Sequence, residues 1–370
     1  MTARPAIDLC DLAPAYISAL APYQPGKPIA ELERELGITG AVKLASNENP
    51  LGASPRATEA ARAALEDVAR YPDGNGFELK RAIASRHGVA ESAVVLGNGS
   101  NDVLELVART FLAPGTAAVY AQHAFAVYPL VTQATGAIGV EVAARDYGHD
   151  LDAMRLAVNE QVKVVFIANP NNPTGTLLRP QEVLAFLSAL PSRVLAVLDE
   201  AYAEYLPHTQ KAHSADWLAR FPNLVITRTF SKAYGLAGLR VGYALAHPQV
   251  ADLMNRVRQP FNVSSVAQSA AVAALADEAF VAKSRALNED GMVQITSGFA
   301  SLALDFIPSH GNFVSFRVSD ARIVYDRLLR LGVIVRPIAS YGLPEFLRVS
   351  IGLPEENARF LAALRQALPR

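Results

Sequence analysis

Val194-Leu-Ala-Val-Leu-Asp199-Glu200-Ala-Tyr202 is the stretch on which the fold turns. An apolar run without polar alternation reads as a strand buried on both faces, the pattern of a parallel sheet, and its carboxyl end delivers carboxylates. Val164-Val-Phe-Ile-Ala168, followed by Asn169-Pro-Asn-Asn172-Pro-Thr-Gly175, repeats the design with turn formers at the strand end. A third apolar run, 224–227, leads into Thr229-Phe-Ser-Lys232-Ala-Tyr-Gly-Leu-Ala-Gly-Leu-Arg240-Val-Gly-Tyr243. In an open parallel sheet such ends line one crevice, which gathers Asn172, Asp199 and Lys232.

Outward from this centre, further strand candidates fall at 94–96, 117–121, 139–143 and 241–246, separated by helix-length segments. Strands alternating with helices predict an α/β fold with a mostly parallel seven-stranded sheet. Residues 249–288 are alanine-rich with few breakers and predict long helices. After them the style changes: strand candidates 313–318, 333–337 and 346–351 alternate with helical runs 321–331 and 355–368, a smaller α+β unit. Pro22-Tyr-Gln-Pro25-Gly-Lys-Pro28 reads as an extended arm. The expected organisation is therefore an arm over 1–45 that joins the small domain, a large domain over 46–255, and linking helices with the small domain over 256–370.

Lys232 after a strand, with Arg240 close behind, suits a carbonyl cofactor such as pyridoxal phosphate (PLP): the amine forms an imine and the arginine holds the phosphate. The plain alternative is a solvated loop lysine. Asp199 can pair with a protonated pyridine nitrogen and keep the ring an electron sink. An apolar strand ending in Asp-Glu also fits the magnesium strand of a P-loop ATPase, but the phosphate loop is absent. The only Gly-Lys pair, Gly26-Lys27, precedes Pro28 and lacks the upstream glycine. In Leu96-Gly-Asn-Gly99-Ser100-Asn101-Asp102 a strand passes through glycines into a helix expected near Asp102, a place where backbone amides and the helix dipole favour an anion. A dinucleotide fingerprint needs glycine at 102, where aspartate stands.

Taken together, Asn-Pro-Asn-Asn-Pro-Thr-Gly, Asp-Glu-Ala-Tyr and Ser-Lys-Ala-Tyr-Gly-Leu-Ala-Gly-Leu-Arg-Val-Gly-Tyr resemble the fold-type I PLP-dependent aminotransferases. Among these the chain resembles the histidinol-phosphate aminotransferase family. The likeness runs from Pro22-Tyr23-Gln24 through Lys43-Leu-Ala-Ser-Asn47-Glu-Asn-Pro50 and Arg70-Tyr71-Pro72 to Phe346-Leu-Arg348-Val-Ser350. The resemblance implies that Lys232 bonds the cofactor and then moves protons, that Asp199 meets the pyridine nitrogen, and that Asn172 and Tyr202 hold the phenolic oxygen. It assigns Gly99, Ser100, Asn101, Ser231 and Arg240 to the cofactor phosphate. Phe125 falls where the family usually stacks a tyrosine; it keeps the ring and loses the hydroxyl. Tyr71 matches a tyrosine that reaches the other subunit's cofactor phosphate, which implies a homodimer with shared active sites. Desolvation and Arg240 are expected to make Lys232 partly neutral, as a base must be.

An arginine fork suits a carboxylate or a phosphate alike, so Arg336 and Arg348 alone do not choose between an amino acid and a phosphorylated amine. In the family the corresponding arginines bind substrate phosphate with a tyrosine matching Tyr23, and Asn47 falls among the substrate-binding residues. Two arginines with Tyr23 suit a dianion. The expected reaction is transamination of L-histidinol phosphate with 2-oxoglutarate to imidazole-acetol phosphate and glutamate, in histidine biosynthesis. The competitors are an aromatic-amino-acid aminotransferase, a threonine-phosphate decarboxylase of the same fold, and a PLP-binding regulatory domain, which usually carries a DNA-binding module for which this chain has no room.

Composition agrees. The 370 residues are 51% hydrophobic and 19% charged, enough to bury a large core. With Lys+Arg at 34, Asp+Glu at 35 and a net charge of −1, no global basic field invites nucleic acid. The single Cys10 forbids an internal disulfide and fits a reducing compartment. Residues 1–11 show no export signal and no apolar stretch reaches the roughly 20 residues that span a bilayer, so a cytoplasmic enzyme without membrane or metal partners is expected.

Overall fold

The computed structural model describes residues 9–369; the first eight residues, part of the expected arm and of the segment read for an export signal, lie outside the described residues. Every strand expected in the larger part is present. They form one sheet in the order Val94–Gly97, Gly242–Ala246, Leu224–Thr229, Leu195–Asp199, Val162–Ala168, Ala117–Ala121 and Ile138–Val142. Only Gly242–Ala246 runs antiparallel to its neighbours. The continuous apolar runs are buried along their whole length, as the lack of alternation predicts. Helices Ser100–Phe111, Val127–Ala134, Pro180–Ala189 and Ser265–Leu275 add buried side chains to the same core.

The alanine-rich segment divides into Pro248–Val257, Ser265–Leu275 and Glu278–Ser301. Ser264 and Asp277 cap the second and third by accepting from the N–H groups of Ala267 and Phe280. The last helix runs well past 288. Its Gly291 and Gly298 are places of close approach: a Cβ there would stand 2.4 Å from Ile351 and Leu361 respectively.

A second core forms around Phe299, Phe316 and Phe360, beneath a four-stranded antiparallel sheet ordered Arg336–Pro337, Phe346–Ser350, Phe313–Arg317, Phe306–Ile307. The single strand expected over 333–337 is two. Val333–Ile334 pairs in parallel with Val42–Lys43, while Arg336–Pro337 joins the four-stranded sheet at its edge, the position open to a proline that has no N–H to give. The N-terminal stretch is thereby fastened to the smaller core two residues from Arg336. Among the described residues no helix is long and apolar enough to cross a membrane, and no three His, Cys, Asp or Glu side chains cluster as a metal site.

Candidate active site

A cavity of about 210 Å³ is lined by the carboxyl ends of the central parallel strands, by residues 23–47 and by the two arginine-bearing strands of the small sheet. Of the residues that the sequence put at the site, all but Gly99 and Tyr71 line it.

Asp199 and Lys232 occupy this cavity in different electrostatic settings. Asp199 is 5% exposed and accepts from the hydroxyls of Tyr128 at 2.8 Å and Thr227 at 2.9 Å. Burial pushes its carboxyl up, and the two hydroxyls pull it back. Neither partner was named from the sequence. Thr227 stands directly across from Asp199 in strand register, and Tyr128 lies beyond Phe125 at the start of a helix, its ring stacked on Phe166 at 4.8 Å. The Lys232 amine donates to the Ser46 carbonyl at 3.1 Å and lies 5.8 Å from the centre of the Tyr202 ring. Its pKa is pushed down to about 7, first by burial and then by the charge of Arg348. Arg240, the cation expected to do this, contributes less, and Glu48 opposes both from its ion pair with Lys43.

The phosphate-type site begins where helix Ser100–Phe111 starts, two residues earlier than the sequence suggested, because Gly99 ends the turn at φ 84°. Asp102 turns back to accept the Asn98 N–H at 2.7 Å. A Cβ at Gly99 would stand 2.4 Å from Arg240 Nη2, so glycine there makes room for the guanidinium. Arg240, itself in the left-handed region at φ 54°, donates to Ser231 Oγ at 3.3 Å and to the Ala237 carbonyl at 2.9 Å. No carboxylate pairs with it among the described residues.

The other two arginines of the cavity, Arg336 and Arg348, are also without acidic partners among the described residues. Arg348 is 6% exposed; its Nη atoms donate to Asn172 Oδ1 at 2.5 Å and the Ala45 carbonyl at 2.7 Å, while its buried Nε has no partner. Arg336 lies across from it in strand register, donates to the Gln24 carbonyl, and packs 5.5 Å from the centre of the Tyr23 ring. Asn172 spends its oxygen on Arg348, which leaves its amide nitrogen to donate.

Two expected residues behave differently. Asn47, expected among the substrate-binding groups, lines the cavity but spends its amide inside the chain: Nδ2 donates to the Tyr202 hydroxyl at 2.9 Å and Oδ1 accepts from Ser350 at 2.9 Å. Its backbone sits at φ 55°, a conformation that asparagine tolerates. Tyr71 is 83% exposed, stacked on Phe261 at 4.8 Å, and stands apart from this chain's own cavity.

A buried carboxylate, an amine poised near neutrality, and unpaired cations beside a helix start and a glycine notch form the donor set of a phosphorylated pyridine aldehyde, and the residues fit PLP. The class follows from the family model as well: the chain belongs to the class I and II aminotransferases, whose model, Aminotransferase class I and II, matches residues 39–364. Within it the chain is similar to histidinol-phosphate aminotransferases. It is 61% identical to histidinol-phosphate aminotransferase 2 of Nitrosospira multiformis, over 98% of this chain and 93% of the relative. It is 62% identical to the enzyme of Methylobacillus flagellatus, over 97% and 98%. The crystal structure of histidinol-phosphate aminotransferase from Sinorhizobium meliloti in complex with pyridoxal-5'-phosphate superposes with a TM-score of 0.89 at 31% identity, covering 98% of both chains.

Proposed function

We propose that the chain is a PLP-dependent aminotransferase that exchanges the amino group of L-histidinol phosphate with 2-oxoglutarate, giving imidazole-acetol phosphate and glutamate for histidine biosynthesis. The observation that carries this reading is a single cavity holding two separate groups of uncompensated arginine charge, Arg240 beside a helix start and Arg336 with Arg348, around one poised lysine. Arg348 is buried while Arg240 and Arg336 are more open, and cations that face one cavity without a carboxylate partner suit an anion from outside. Two such groups fit a phosphorylated cofactor and a phosphorylated substrate.

When bound, PLP supplies a carbonyl for the substrate amine and a ring that delocalises the electrons of the broken C–H bond. Ser100, Asn101, Ser231 and Arg240 would hold its phosphate, Phe125 would face its ring, Asp199 its pyridine nitrogen, and Asn172 and Tyr202 its phenolic oxygen. Burial keeps the Tyr202 phenol protonated, pushing its pKa up to about 12, so it serves as a donor. Lys232, in its neutral form, would be the residue that holds the cofactor's carbonyl carbon. Once free it takes the proton from the substrate carbon and delivers it within the site, a role suited to an amine whose pKa lies near the working pH. Arg348 and Arg336 with Tyr23 orient the substrate by its charged end. A titration of the PLP-loaded enzyme with L-histidinol phosphate, L-histidinol and L-phenylalanine, followed by cofactor absorbance, tests the assignment. Saturation by phenylalanine at lower concentration than by histidinol phosphate would overturn it in favour of an aromatic-amino-acid aminotransferase.

The same reading makes the enzyme a cytoplasmic homodimer, with the exposed Tyr71 serving the neighbouring subunit's cofactor phosphate. Tyr71→Ala and Lys232→Ala chains, each inactive, should regain activity on mixing, since one site of the heterodimer is then complete. No recovery after verified subunit exchange would refute shared sites. The two cores are taken as two domains. Helix Ser265–Leu275 buries Ala267, Ala270 and Ala271 in the larger core, which favours a linking boundary beyond residue 275 over the one expected at 255.

A further inference from the structure

The hydroxyl of Ser350 lies in the smaller sheet, two residues beyond Arg348 on the same strand. It accepts the backbone N–H of Asn47 at 2.8 Å and lies 2.9 Å from Asn47 Oδ1. A backbone N–H can only donate, so this bond takes a lone pair of Ser350 and leaves its proton for the second contact. The amide atom that receives the proton is therefore the oxygen. That orientation turns Asn47 Nδ2 toward the Tyr202 hydroxyl, 2.9 Å away, and an N–H₂ group can only donate to it. The oxygen of Tyr202 is then an acceptor on this side, and its own proton points elsewhere.

We infer that Ser350 is a positioning residue that sets the direction of a hydrogen-bond chain, Ser350 to Asn47 to Tyr202, and so commits the Tyr202 proton to the cofactor's phenolic oxygen. The inference rests on the reading that Tyr202 faces that oxygen. With the amide of Asn47 reversed, its oxygen would take the Tyr202 proton out of the cavity and its N–H₂ would confront the Ser350 proton. The hydroxyl of Ser350 makes the first arrangement the satisfied one. Nearly everything in the chain is buried: Ser350 is 3% exposed, Asn47 1% and Tyr202 3%, so water does not replace a lost link. The Asn47 backbone is held from two further sides, its carbonyl by Asn312 Nδ2 at 3.1 Å and its strand neighbourhood by the Ser350 N–H to the Leu44 carbonyl at 2.8 Å. The amide can turn while the backbone stays.

The readout is the pH midpoint of the cofactor's absorption change in the PLP-loaded enzyme, with PLP affinity measured alongside. A donor to an oxyanion favours its charged form, so losing the Tyr202 proton makes the phenolic oxygen hold its shared proton more tightly, and the midpoint rises. The charges that act on the neighbouring Lys232, from Arg348, Arg240, Glu48 and Lys43, are the same in every variant used, as are Asp199 and Tyr341 beside Tyr202. Ser350→Ala should raise the midpoint by about half to one pH unit, the worth of one net hydrogen bond. Tyr202→Phe should raise it at least as far, and Ser350→Ala added to Tyr202→Phe should raise it no further. A midpoint unmoved by Ser350→Ala, or an equal rise in the Tyr202→Phe background, overturns the inference, because a merely structural serine would act with or without the phenol. A midpoint unmoved by Tyr202→Phe instead sinks the reading of Tyr202 on which the inference depends. Should Ser350→Ala fail to fold, Ser350→Cys, close in size and a weak hydrogen-bonding partner, runs the same cycle with the same two outcomes.

Discussion

The two arginine sites of the cavity are built by opposite means. Around Arg240 the backbone does most of the work: a helix start, a glycine notch at Gly99 and a left-handed turn at Arg240 itself, all from loops at the strand ends of one sheet. Around Arg336 and Arg348 side chains do it, and they come from the small sheet and the N-terminal arm, with Gln24 and Ala45 lending carbonyls. Backbone amides anchored in a large core suit a resident group that need not leave. Side chains on a separate core suit a substrate that must arrive and depart in every cycle. The sites still touch, because Asn172, proposed to face the cofactor, accepts from Arg348, proposed to face the substrate.

This contrast predicts which changes are blind to the substrate and which are not. Lys232→Ala should lose turnover by at least about ten-thousandfold on every amine, since both the attacking amine and the proton carrier vanish. Borohydride reduction of the loaded wild-type enzyme and peptide mapping should place the pyridoxyl label on Lys232; a label on Lys80 or Lys163 would undo the site. Asp199→Asn keeps the shape and the Tyr128 contact but removes the charge, and should slow turnover by roughly a thousandfold, again irrespective of substrate. Near wild-type turnover would remove Asp199 from the role of charge partner.

On the substrate side the effect should be smaller and selective. Arg348→Met should lower kcat/KM for L-histidinol phosphate by about 2–4 kcal/mol in transition-state terms, with a lesser loss on L-histidinol. Equal losses on both compounds would erase the distinction between the two sites. The smallest effect crosses the boundary. In the apoenzyme the rate of PLP capture should rise with pH as Lys232 loses its proton, with a midpoint of about 7. Arg348→Met removes the like charge that, after burial, most disfavours the ammonium, so the midpoint should move upward. A midpoint that stays put in the variant would mean that the arginine is electrostatically remote from the lysine.

Legibility in the sequence follows the same divide. Asn172, Asp199 and Lys232 could be read because each lies at or within a few residues after the end of an apolar run, and the strand ends of a parallel sheet converge whatever the details of packing. Gly99 to Asn101 could be read because a glycine-rich strand-to-helix turn is a local signal. The partners of Asp199 could not. Thr227 meets it only through the register of two strands, and Tyr128 through the way one helix lies on the sheet, neither of which is written in neighbouring residues. Asn47 was placed at the site through resemblance, and its work there depends on Ser350, about three hundred positions away in sequence and a hydrogen bond away in space. The strand over 333–337 reads as one element because no glycine or polar turn residue separates Val333-Ile-Val335 from Arg336; the competition of two sheets for it is a tertiary matter.

Residues 24–47 touch the site through a succession of main-chain and amide atoms: the Gln24 carbonyl on Arg336, the Ala45 carbonyl on Arg348, the Ser46 carbonyl on Lys232, and the Asn47 amide on Tyr202. Most of these contacts are carbonyls, which every amino acid possesses, so the stretch can change many of its side chains and keep its grip. It cannot tolerate a cut. A single protease nick between Gln24 and Pro28, ahead of Leu32 and Leu44, would sever the covalent thread while sparing both hydrophobic cores, leaving a protein that still melts as a folded one but whose Arg336 has lost the carbonyl that aims it.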